Sequence, residues 1–187
     1  TTNTAFRGIA FTPQSSATPS LSISSPLTAF GNICLNTEAG PNSFTISGSN
    51  LTTANVDVAA LAGYTYSTTA GGTYTSTLSI PQSGGTFSQQ VFVKFTPIAV
   101  QSYNGNIVVS GGGAGSSVNA AASGAGVNTM PSVTTGTPAT SITQTTATAP
   151  GSISSNGCSS VTSYGIEYST TSGFVNGTGT PVASSNL

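Results

Sequence analysis

The chain has 187 residues, enough for one to two domains, and only 3% of them are charged, against roughly 25% in an ordinary globular domain. Its five formal charges, Arg7, Lys94, Glu38, Asp57 and Glu167, sum to −1, and it contains no histidine. That inventory excludes nucleic acid as a partner, because neutralising phosphate takes several Lys or Arg, and it excludes a polybasic membrane patch on the same count.

Residues 1–17 contain TAFRGIAFTP, where Phe6, Gly8 and Ala10 alternate with Arg7, Ile9 and Phe11. This pattern predicts the last strand of a preceding module or an added edge strand, with Phe6, Ile9 and Phe11 as candidate edge-strand contacts.

Residues 18–127 carry repeated strand signals and no helical periodicity. Phe44 and Ile46 share a parity in PNSFTISG, as do Tyr74, Leu78 and Ile80 in TYTSTLSIP. Val91, Val93 and Phe95 share one face of VFVKF, with Phe92 and Lys94 on the other, and Ile107 and Val109 face one way in NIVVSG. Turns are predicted at SGSN (47–50), TTAGG (68–72), QSGG (82–85), YNGN (103–106) and SGGGAGSS (110–117). Short strands at this spacing predict an all-β, mainly antiparallel sandwich.

Residues 128–138, NTMPSVTTGTP, have the composition of a linker stiffened by Pro131 and Pro138. In 139–187 a second alternating pattern begins, with Ala147, Ala149 and Ile153 marking one strand and Tyr164, Ile166 and Tyr168 another. About 50 residues hold three or four strands, whereas a seven-stranded sandwich needs roughly 100 residues. The second module therefore reads as partial, completed by further sequence in preference to a partner chain. The opening TTNTAF has no Met, basic region or apolar run, so the chain reads as a mature or excised segment. No apolar run reaches the roughly 20 residues of a membrane-spanning helix.

Catalysis fails on inventory. A nucleophile activated by imidazole needs a histidine, and a glycosidase needs two carboxyls within about 5–10 Å, while the three acidic residues are scattered. No catalytic residue, cofactor or metal site is assigned, since His is absent and Cys34 and Cys158 share no metal-ligand spacing. The two cysteines read as separate small core residues, because a disulfide would have to cross a domain boundary. SGGGAGSS lacks the GK[ST] ending of a phosphate loop and reads as a hairpin connection. Asp57 and Lys94 sit outward on VDV and VKF as a candidate cross-strand pair. Asn50 and Asn176 match the N-glycosylation pattern. Tyr64, Tyr66 and Tyr74 are the candidate sugar-stacking residues, set against the plainer reading that they pack the sandwich.

The runs FTISGSNLT and VFVKFTP followed by YNGNIVVSGG make residues 19–126 resemble the tandem immunoglobulin-like modules, related to the ASPM–SPD-2–Hydin type, of large secreted Bacteroidota proteins. From MPSVTTGTP to SYGIEYSTTSGF the chain resembles the front half of the fibronectin type III-like modules in the same proteins. The resemblance implies type IX secretion, an extracellular or outer-surface location and a non-catalytic structural or adhesive role, as in a stalk, fibre or gliding-type adhesin. Its partners would be neighbouring modules of the same longer chain, other surface or secretion proteins, or surface polysaccharide. Two alternatives remain: carbohydrate-binding accessory modules of an extracellular enzyme, and a passenger captured with its secretion machinery.

Overall fold

The computed structural model describes residues 17–184, so the expected edge strand with Phe6, Ile9 and Phe11 lies outside the described residues. Fourteen strands and no helix occur among the described residues. This all-β result follows from β-branched and aromatic residues at period two between Gly-rich turns.

Among the described residues, the first compact unit comprises 17–30, 40–95 and 104–123. One of its sheets is built from β1 (Ser20–Ser25), β3 (Ala39–Leu51), β5 (Tyr64–Ser67) and β7 (Gly85–Phe95), in the order β1-β3-β7-β5. The other is built from β4 (Val56–Val58), β6 (Leu78–Ile80), β8 (Gly105–Gly111) and β9 (Val118–Ala122), in the order β6-β4-β8-β9. The β1–β3 and β5–β7 pairings of the first sheet and all three pairings of the second are antiparallel.

The inward faces are the ones alternation picks out. Phe44, Ile46, Val91, Val93 and Phe95 are buried from the first sheet, and Val56, Val58, Ile107 and Val109 from the second. Burying one such side chain contributes about 1.5–3 kcal/mol, so these two faces are the main source of stability in the unit. Tyr64 stands opposite Phe95 in the β5–β7 register, and their rings stack at 4.9 Å between centroids. Phe30 closes the cluster edge-on to Tyr64 at 5.8 Å.

SGGGAGSS is the β8–β9 hairpin connection, as its composition predicts. Gly111 is at φ +97°, and a Cβ there would stand 2.2 Å from the Asn55 carbonyl oxygen, so glycine is required. Three other expectations need correction. SGSN at 47–50 continues β3, because β1 lies along it with Leu21 opposite Gly48 and Ser20 opposite Ser49. TYTSTLSI is not one strand: Thr75 bridges Tyr66 of the first sheet, whereas Ile80 pairs with Val56 of the second. A segment that changes sheets must bend between them, which leaves only β6 as a strand. Ala147 and Ala149 flank a single bridge between Thr148 and Thr140 instead of forming a strand.

Among the described residues, the second unit comprises 31–39, 96–103 and 124–184. It contains β2 (Gly31–Cys34) paired in parallel with β10 (Gly124–Val127), β11 (Ser132–Thr135) paired with β12 (Gly151–Ser155), and β13 (Tyr164–Tyr168) paired with β14 (Thr180–Ser184). The stretch 128–138, with the composition of a linker, thus includes β11: Val133 and its threonines have the β propensity to pair with Gly151–Ile153. Residues 128–183 contain no buried side chain, and Met130, Val133, Ile142, Val175 and Val182 are all exposed.

Candidate functional site

The feature of the second unit that sequence reading missed is a disulfide between Cys34 and Cys158, with Cα atoms 5.4 Å apart across 124 positions. This overturns the expectation of two separate core cysteines. The cause is backbone pairing around the end of β10. Its parallel register sets Cys34 beside Val127, and the Leu35 N–H donates to the Val127 carbonyl at 3.1 Å. Two residues on, the Thr129 carbonyl accepts the Cys158 N–H at 2.9 Å. One short run, Val127–Thr129, therefore holds both cysteines.

Gly157 makes that approach possible. It is at φ +65°, and a Cβ on it would lie 2.3 Å from the Thr129 carbonyl oxygen. The NGC run was visible in the sequence, but nothing in it names the backbone that the glycine must approach.

Sequence reading also missed a Tyr103 corner. The Tyr103 side chain is buried, and its hydroxyl accepts the backbone N–H groups of Ile98 at 3.0 Å and Ala99 at 2.9 Å. Burial pushes this hydroxyl up, but the two N–H donors and the Gln101 side chain outweigh it and leave it below its ordinary value. The held loop carries Ile98 and Val100 as exposed apolar residues.

The sugar-stacking set does not form a surface. Tyr64 and Tyr66 point into the sandwich and are 2% and 0% exposed, because their parity on β5 is that of the core. Burial pushes both hydroxyls up to about 12. The Leu61 backbone opposes this at Tyr66 without meeting hydrogen-bond geometry, and the Tyr66 hydroxyl has no hydrogen-bond partner among the described residues. Tyr74 is half-buried, and the Lys94 ammonium sits 4.5 Å from its ring centroid. Such a cation–π contact contributes about 0.5–1 kcal/mol at the surface.

The Asp57–Lys94 pair is not formed, since β4 and β7 belong to different sheets. Asp57 Oδ1 instead accepts the Ser79 hydroxyl at 2.6 Å from the adjoining β6. Glu167 Oε2 accepts the Gly177 N–H at 2.8 Å, and Glu38 is exposed between β2 and β3. No group of three metal-ligating side chains occurs among the described residues. Asn50 and Asn176 are both exposed.

The outer face of β1 and β3 is a ladder of hydroxyls that bond across the strands. Ser20 and Ser49 are 2.9 Å apart, and the Ser47 hydroxyl donates to Ser24 at 2.9 Å. This face meets water through neutral hydrogen-bonding groups instead of charges. Compared with known protein families and with curated proteins, the chain matches none of them.

Proposed function

We propose that the chain is a non-catalytic structural and adhesive segment of a large secreted cell-surface protein, an element of a stalk, fibre or gliding-type adhesin exported by type IX secretion. The observation that carries this reading is that one chain holds an antiparallel sandwich unit and a second, coreless set of strands whose own segments are closed by a disulfide 124 positions long. Disulfides persist outside the reducing cytosol, which favours an exported chain. Residues 128–183 bury no side chain of their own, which fits one module in a series that draws its remaining strands from elsewhere.

The immunoglobulin-like assignment has support in the pairing order. A constant-type immunoglobulin sandwich sets strands A-B-E-D against C-F-G. Here β1-β3-β7-β5 faces β4-β8-β9, with β6 added beside β4. The Tyr103 hydroxyl reaching back to Ala99 also matches the tyrosine corner of such sandwiches. Burial of Tyr64 and Tyr66 removes two of the three tyrosines on which polysaccharide stacking was based and leaves only half-buried Tyr74.

Protease shaving of intact cells, followed by detection with an antibody against this chain, tests the reading. Loss of the signal from unbroken cells, together with weaker surface attachment of a deletion strain, is the expected result. Protection of the chain inside intact cells would refute it.

A further inference from the structure

We propose that the Cys34–Cys158 bridge is a mechanical latch: covalent tension along the chain crosses the disulfide, and the backbone path through residues 35–157 stays slack. The proposal rests on the stalk reading for its biological use, although the geometry stands by itself. A force entering on the N-terminal side of Cys34 and leaving on the C-terminal side of Cys158 has two covalent routes. One is the bridge, spanning 5.4 Å between Cα atoms. The other is the intervening polypeptide, 124 positions long. At about 3.3–3.6 Å per extended residue, the second route stays slack by roughly 400–450 Å. Covalent tension therefore takes the first.

The strands inside the latched loop are β3 to β12, among them every strand of the sandwich except β1. Those outside it are β1, held along β3, the β13–β14 pair, and β2, which runs into Cys34 and pairs with β10. Under load the oxidised chain yields at the β1–β3 and β13–β14 pairings while the core faces of Phe44, Val91, Val93 and Ile107 are never pulled apart. The bridge joint is braced by the parallel β2–β10 ladder and by the Leu35–Val127 and Cys158–Thr129 hydrogen bonds, so it does not swivel freely.

The test stretches the full 187-residue chain between handles at its two ends, first oxidised and then with a dithiol reductant added while tension is held. The reductant closes to its own disulfide as Cys34 and Cys158 each become a thiol. The expected result is that only the reduced chain releases the extra length of roughly 400–450 Å. A chain carrying Cys34→Ser and Cys158→Ser should release it without reductant. Equal extension before and after reduction overturns the latch. Because reduction begins from the folded oxidised chain, that comparison holds whether or not the double variant folds. Equal extension leaves the surface-display result untouched, and protection from protease in intact cells overturns the stalk reading while the length difference stands.

Discussion

The Tyr103 hydroxyl accepts the Ala99 backbone N–H at 2.9 Å and so ties the loop ahead of β8 to the residue that enters it. The same oxygen takes the Ile98 N–H. Removing it orphans two donors at once. Tyr103→Phe is expected to cost about 1–3 kcal/mol, read as a lower urea midpoint at unchanged slope. An unchanged midpoint would show that water satisfies both donors.

Tyr66→Phe should behave in the opposite way. Its hydroxyl is buried and has no hydrogen-bond partner among the described residues, so its loss removes a desolvated group and no hydrogen bond to them. The variant is expected to be neutral or more stable by up to about 1 kcal/mol. A loss of stability as large as that of Tyr103→Phe would mean that the Leu61 backbone holds this oxygen after all.

Alkaline pH provides a third check. The folded state holds the Tyr64 and Tyr66 protons to about 12, while the unfolded chain releases them near 10. Stability from these two groups is intact below the unfolded value. It falls as pH rises toward the folded one, because the unfolded state sheds protons first. Phenolate absorbance from these two tyrosines should appear together with loss of sheet signal in circular dichroism. Their ionisation with the sheet intact would contradict the burial argument.

Gly157→Ala targets the bridge without touching a cysteine. The new methyl meets the Thr129 carbonyl, and the left-handed backbone adds strain of order 1–3 kcal/mol. Slower oxidative closure and a higher fraction of titratable thiol are expected. Full oxidation at the native rate would show that the turn relaxes without moving Cys158.

Loss of the bridge should also lower equilibrium stability. Closing a loop of this length stabilises a protein by about 2–5 kcal/mol, so the Cys34→Ser, Cys158→Ser chain should melt earlier in a calorimeter under non-reducing conditions. Identical melting of the two chains would mean that the bridge constrains neither state.

The core was legible residue by residue wherever alternation met a buried sheet. Phe44, Ile46, Val91, Val93, Phe95, Ile107 and Val109 follow from period two alone, because successive side chains on a strand must face opposite ways. The absence of histidine and the scarcity of charge were equally plain, and they bound the chemistry before any fold is known. Partner choice was not legible. Whether TYTSTLSI lies in one sheet or changes sheets, and whether SGSN turns or pairs with β1, depends on strands distant in sequence. The cysteines carry the same lesson most sharply. A separation of 124 positions says nothing about a Cα distance of 5.4 Å, which arises only once β2 lies parallel to β10 and Gly157 lets the turn approach Thr129. Side-chain polarity acts locally and can be read along the chain. Proximity is set by backbone hydrogen bonds between remote segments, and only the tertiary structure decides it.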